Sequence, residues 1–132
     1  MMRFYSLVLA PLALVISGAV VMAQQLDVPI HEYESDGQAA NCSQGTVMGL
    51  KTDGDGFLAV RSGPGSNYRK LGEVHNGDRL TIFEGRDGWY GIAVPGGQID
   101  QADVCQRVGP RRQISGRGLG WVHGNWVGNI IP

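Results

Sequence analysis

The chain has 132 residues, with 11 basic and 12 acidic side chains, for a formal charge of −1. That is room for one small domain and not for a multi-domain enzyme, and it lacks the basic excess of a nucleic-acid-binding surface. Its 21 glycines oppose long helices, since each interior glycine costs about 1 kcal/mol relative to alanine.

The chain opens MMRFYSLVLAPLALVISGAVVMA, with one cation at Arg3, an apolar run, and small residues Val21 and Ala23 at signal-peptidase spacing. Residues 1–23 are therefore expected to be a signal peptide, cut before Gln24, which sends the protein to the periplasm or out of the cell. An uncleaved anchor is the competing reading, because about 20 apolar residues cross a bilayer. Pro11, Ser17 and Gly18 break the run and no cationic stop-transfer cluster follows it, so no stable membrane span is expected after cleavage.

Residues 24–45 read as a flexible lead-in. Gln24 to Ala40 is polar and acidic, without a sustained period of 2 or 3.6 residues. A domain of short strands follows over 46–132. TVMGL, from Thr46, is the first strand, and Asp53, Gly54, Asp55 and Gly56 make a turn-rich loop; Phe57 and Leu58 stand where a calcium loop needs polar ligands. FLAVRS is the second strand, with Leu58 and Val60 on one face, and Gly63-Pro64-Gly65 ends it. LGEVH is the third, followed by Asn76-Gly77, a two-residue hairpin signal. In RLTIFEG, Leu80 and Ile82 face one way and Thr81 and Phe83 the other. Asp87-Gly88 then predicts a second hairpin into Trp89, Tyr90, Ile92 and Val94, completing a meander.

Pro95 to Gly120 is a long insert rich in glycine and arginine, and structureless connections beyond about 15 residues are uncommon inside compact domains. It carries Cys105, whose one possible partner is Cys42, 63 positions away. In an oxidising compartment the two are expected to pair, and a bridge of that span contributes roughly 4 kcal/mol in the loop-entropy model. Two free thiols, or one catalytic thiol beside a histidine, are the alternatives. Asp27, Glu32, Glu34 and Asp36 gather early, and Arg107, Arg111, Arg112 and Arg117 late. Solvated loops, an anion site, or attraction between the two clusters all produce that pattern.

The run LAVRSGPGSNYRKLGEVHNGDRLTIFEGRDGWYGI, with the closing GWVHGNWV, resembles the bacterial SH3 domain family, whose members read L-N-V-R-S-G-P, then a G-x-L-x-x-G turn, then G-W-x-x-V and G-W-V. The resemblance covers roughly Thr46 to Ile131. It implies an all-β, small, partly open SH3-like barrel of five to seven antiparallel strands, without chemistry of its own, that binds cell-wall peptides or envelope proteins. Ala59 stands where the family commonly has asparagine, and the insert over 95–120 replaces a short hairpin.

Tyr68, Trp89, Tyr90, Trp121 and Trp126 are more large aromatics than a core of this size hides, and such rings bury about 150 to 250 Å² each while keeping a polar edge for partners. Tyr68, Trp89, Tyr90 and Trp126, with Arg111 and Arg112, are the expected ligand-binding residues. The expected ligand is a cell-envelope peptide or glycopeptide; the alternative is an envelope protein gripped by the arginines of the insert. His31, His75 and His123 lie apart in the sequence with no nucleophile-base-orienter pattern, zinc-type Cys/His spacing is missing, and Tyr68 stands where a Gly-x-Gly-x-x-Gly phosphate loop needs its third glycine. No enzyme activity, metal, cofactor or nucleic-acid partner is expected.

Overall fold

A computed structural model describes residues 3, 25–38, 41–51, 53 and 56–132; the expected signal peptide falls outside them. The strands are β1 (His31–Glu32), β2 (Ser43–Val47), β3 (Leu58–Arg61), β4 (Lys70–Val74), β5 (Arg79–Arg86), β6 (Trp89–Ile99), β7 (Arg112–Gln113), β8 (Gly116–His123) and β9 (Val127–Ile131), with one 3-10 turn at Gly124–Trp126. Among the described residues there is no α-helix, and no helix long and apolar enough to cross a membrane.

Seven strands form one antiparallel sheet in the order β4-β3-β8-β6-β5-β2-β9, left open between its edges β4 and β9. The all-β, partly open architecture expected from the resemblance is the one observed. Val74 of β4 and Val127 of β9 pack in the same cluster as Val47, Leu58, Val60, Leu80, Ile82, Ile92 and Val122, so the sheet curls until its two edges share an inner core. Leu58 and Val60, and Leu80 and Ile82, sit there as their alternation requires.

Both edges are guarded against further pairing. β4 carries the ion pair of Lys70 with Glu73. β9 shifts register against β2 between Gln44 and Thr46, where Asn129 takes a left-handed φ of 49° that asparagine tolerates better than most side chains.

The turns part from the sequence reading in one place. Asp87 and Gly88 both have positive φ, 51° and 83°, as a hairpin turn that matches strand twist demands, and β5 pairs with β6 across it. Asn76-Gly77 does not make a hairpin, because β5 pairs with β2 and β6, and β4 pairs with β3. Asn76 instead ties the turn to another loop: its side chain accepts from the Leu50 N–H at 3.0 Å and donates to the Leu50 carbonyl at 2.9 Å. The first strand also begins earlier than TVMGL predicts, at Ser43, and ends at Val47.

The insert is more ordered than its glycines indicate. β6 runs on to Ile99 and β8 starts at Gly116, with Ile99 opposite Gly116. The register slips between Ala93 and Gln98, where the backbones approach so closely that a Cβ on Gly97 would stand 3.1 Å from the Arg117 carbonyl oxygen. These glycines permit a bulge in a continuing strand rather than ending one.

The stretch expected to be a polar, flexible lead-in contributes to the interior. Ile30 and Glu32 are fully buried, and β1 pairs with β7 of the insert, Glu32 opposite Arg112. Ile30 joins Phe83, Ala93, Ile114, Leu119 and Trp121 in a second core on the outer face of the sheet. That face carries Phe83 and Trp121, and leaving them in water would forfeit roughly 25 cal/mol per Å² of apolar surface. The early segment and the insert form the layer that covers them.

Candidate binding surface

The covering segment, here the strap, is an extended run fastened at three points. At its start the Ser62 hydroxyl and the Arg69 guanidinium donate to the Asp27 carboxylate, while the Asp27 and Val28 N–H groups both donate to the Ser62 carbonyl. These bonds favour the ionised form and hold the Asp27 carboxyl below its ordinary range. In the middle, the Trp121 indole N–H donates to the Val28 carbonyl at 2.9 Å and the Ile114 N–H to the Ile30 carbonyl at 2.9 Å. Near its end, Glu32 sits fully buried and accepts from Arg112 Nε, from the Cys105 N–H at 3.2 Å and from Asn41 Nδ2 at 3.4 Å. Arg112 also donates to Asp103 at 2.6 Å, which lowers the Asp103 carboxyl and raises the guanidinium. The Cys42–Cys105 disulfide closes beside this cluster. At Glu32, the early carboxylates and late arginines are partners for each other.

Glu84 is the second buried carboxylate. It accepts from the His31 N–H at 3.0 Å and pairs with Arg86 at 2.8 Å and Arg111 at 3.4 Å. His31 Nδ1 lies 3.8 Å from the same carboxylate and makes no hydrogen bond among the described residues. Burial first, then the Arg111 charge, push the imidazole below its ordinary value of 6.5, so His31 is neutral at pH 7.

Where β2 leaves β5, the molecule has a notch of about 260 Å³. The β2–β5 ladder ends at Ser43 opposite Ile82, and beyond it, among the described strands, β5 is paired with β6 alone. Across a two-residue hairpin the closing pair, Arg86 and Trp89, is the hydrogen-bonded one. The next pair, Gly85 and Tyr90, therefore turns the backbone groups of Gly85 away from β6. The Gly85 N–H meets the Tyr33 hydroxyl oxygen at 3.1 Å. Tyr33, Tyr90 and Ile130 line the notch with Asn41, Ser43, Phe83 and Glu84, and Tyr33 and Ile130 are about half exposed. Two phenol rings over polar groups and an open strand flank suit a ligand that stacks and offers backbone-like hydrogen bonds.

Of the residues expected to bind ligand, Tyr90 lines the notch, and Arg111 reaches Glu84, which lines it too. The others are placed elsewhere. Tyr68 lies against Gly63 in the β3–β4 turn, Trp89 packs edge-on to His123, Trp126 lies over Gly49, and Arg112 is engaged by Glu32 and Asp103. Trp121 is wholly core. Tyr33 was missed by sequence reasoning because it follows Glu32 in a stretch read as a lead-in. Its signal was the alternation of Leu26, Val28 and Ile30 just before it. Among the described residues, no cluster of three or more metal-ligating side chains occurs, and both cysteines are in the disulfide.

A family model of the bacterial SH3 domain matches residues 56–128, more than half of the chain. No curated protein and no solved structure matches it.

Proposed function

The chain belongs to the bacterial SH3 domain family, and on that premise we propose that it is a non-catalytic, exported binding module that holds a cell-envelope peptide or glycopeptide in the notch between Tyr33 and Tyr90. The observation that carries this reading is the open flank of β5 at Gly85, whose N–H is met by a side-chain oxygen, Tyr33 Oη, in place of a strand. A peptide carbonyl offers the same acceptor, and Tyr90 offers a ring to stack on. The disulfide fits an oxidising compartment. The test is retention on purified peptidoglycan at low and moderate salt. Intact protein is retained, and Tyr90→Ala with Tyr33→Ala lowers retention about tenfold, the loss of one to two kcal/mol of ring contact. Retention no better than that of an unrelated exported protein would sink the envelope ligand.

A second reading, a protein partner held by the insert, draws support from Val108, the most exposed large apolar side chain among the described residues, three positions before Arg111 in the sequence. Deleting the insert would remove Ile114 and Arg112 from the outer layer, so the test is Val108→Asp: loss of a captured envelope protein with the fold intact favours the insert, and unchanged capture removes it.

A further inference from the structure

We propose that the groove beneath the strap is a peptide-binding site in its own right, that it takes an extended peptide with the order apolar–acid–apolar–proline–apolar–any–acid, and that Leu26–Glu32 is its resident, displaceable occupant. The groove is built entirely from residues outside the strap. Trp121 is placed by the pairing of β8 with β3 and β6, opposite Arg61 and Gly91. Ser62 and Arg69 belong to the β3–β4 turn, closed by the Ser62 N–H donating to the Arg69 carbonyl at 2.8 Å. Ile114 and Arg112 belong to the insert, which the disulfide holds to the start of β2. Trp121, Ser62 and Arg69 are fastened without the strap, and Ser115, next to Ile114, is held to Asp100 and Gln101. One wall of the site is therefore formed before it is filled, which lowers the ordering cost of binding. β7 pairs only with β1 among the described strands, so the opposite wall closes on its occupant.

The occupant is read in the manner of a bound peptide. Its backbone is met from several elements: the Ser62 carbonyl accepts from Asp27 and Val28, the Trp121 indole N–H serves the Val28 carbonyl, the Ile114 N–H serves the Ile30 carbonyl, and Glu84 accepts the His31 N–H. Pro29, with no N–H to satisfy, stands between the Val28 and His31 donors. Ile30 enters a pocket over Gly91, where a Cβ would lie 3.0 Å from the Ile30 side chain, with Phe83 and Trp121 in the same cluster. A cation receives the acid at each end, Arg69 for Asp27 and Arg112 for Glu32. Five backbone contacts, one shape-selective pocket and two charge clamps specify the sequence pattern a ligand must carry. A covalently linked occupant acts at a high effective concentration, so a peptide in trans enters only when the strap has been loosened.

The test uses the full chain carrying Asp27→Ala and Ile30→Ser, and a synthetic peptide, QLDVPIHEYES, that copies residues 25–35. Tryptophan fluorescence reports on the Trp121 indole, and the melting temperature reports linkage, rising with any ligand that binds the folded state. The loosened chain is expected to bind the peptide saturably, about tenfold or more tighter than the intact chain does. Its melting temperature should climb toward the intact value, and a peptide with serine in place of Ile30 should bind about tenfold more weakly. If the double variant does not fold, Asp27→Ala alone carries the test, because Asp27 is exposed and leaves the core untouched. A folded, loosened chain that shows no saturation at millimolar peptide overturns the proposal, as does equal binding by loosened and intact chains. Phe83 and Glu84 belong to both the groove and the notch, but the Tyr90→Ala with Tyr33→Ala variant that tests the notch alters neither of them. The peptide with serine in place of Ile30 leaves the notch as it is, so peptidoglycan retention and peptide binding fail distinguishably.

Discussion

The two faces of the sheet bury apolar cores by unlike means. The inner face closes on itself: nine aliphatic side chains from neighbouring strands meet without a buried charge among them. The outer face carries Trp121 and Phe83 and cannot curl over them, so it borrows cover from two distant stretches of chain that bring few apolar residues. Those stretches are held by a disulfide, by Glu32 with Arg112, and by Asp27 with Ser62 and Arg69. The inner core depends on surface removed from water alone. The outer layer depends on redox state and pH as well, and it places Tyr33 beside the notch.

Four measurements test this contrast. The largest effect belongs to Cys42→Ser with Cys105→Ser, which removes roughly 4 kcal/mol by loop entropy. Denaturant unfolding gives the size, and hydrogen exchange should show the amides of Ile114 and Cys105 exposed before those of Ile92. Next come Ile92→Ala and Ile30→Ala, both fully buried and each costing about 3 kcal/mol. The inner substitution should speed exchange throughout the sheet; the outer one should free the strap first, and equal exchange patterns would erase the distinction. Glu32→Gln, which leaves Arg112 short of its buried partner, should cost about 2 kcal/mol, read as a lower urea midpoint with Tyr33 fluorescence changing ahead of the inner core.

The smallest effect is that of pH. The folded state holds His31 below 6.5, so the unfolded chain binds the proton more readily, and stability is present above 6.5 and declines as pH falls toward the folded value. His31→Gln should flatten the melting temperature between pH 7.5 and 5.5. Asp27 and Asp103 are likewise lowered from 3.8, so their contribution is present above that value and is lost as pH falls through the folded ones. Asp27→Asn should remove part of that acid sensitivity.

The inner core was legible because its signals are local. Leu58 with Val60 and Leu80 with Ile82 alternate in strands bounded by turn residues, and Asp87-Gly88 has the conformation its chemistry demands. Asn76-Gly77 was misread because turn chemistry fixes a bend, not which strand pairs after it; the side-chain bonds to Leu50 that redirect the chain span 26 positions. The outer layer was illegible because it is non-local and charged. Glu32 looks like a solvated acid until Arg112, 80 positions later, is placed on it. In the strap, Leu26, Val28 and Ile30 do alternate, but over a span too short to stand out from the acids around them. The candidate site was half visible: Tyr90 was singled out, while Tyr33 needed the strap to be recognised first.

The left-handed residue Asn129 has a meaning for the protein among its own copies. An open sheet with two free edges risks offering their backbone groups to identical neighbours, with strand added to strand without limit. The shifted register of β9 denies a newcomer a straight row of partners at one rim, and Lys70 with Glu73 charges the other. What is left open is a flank of β5 at Gly85, too short a row of backbone groups for identical copies to add strand upon strand.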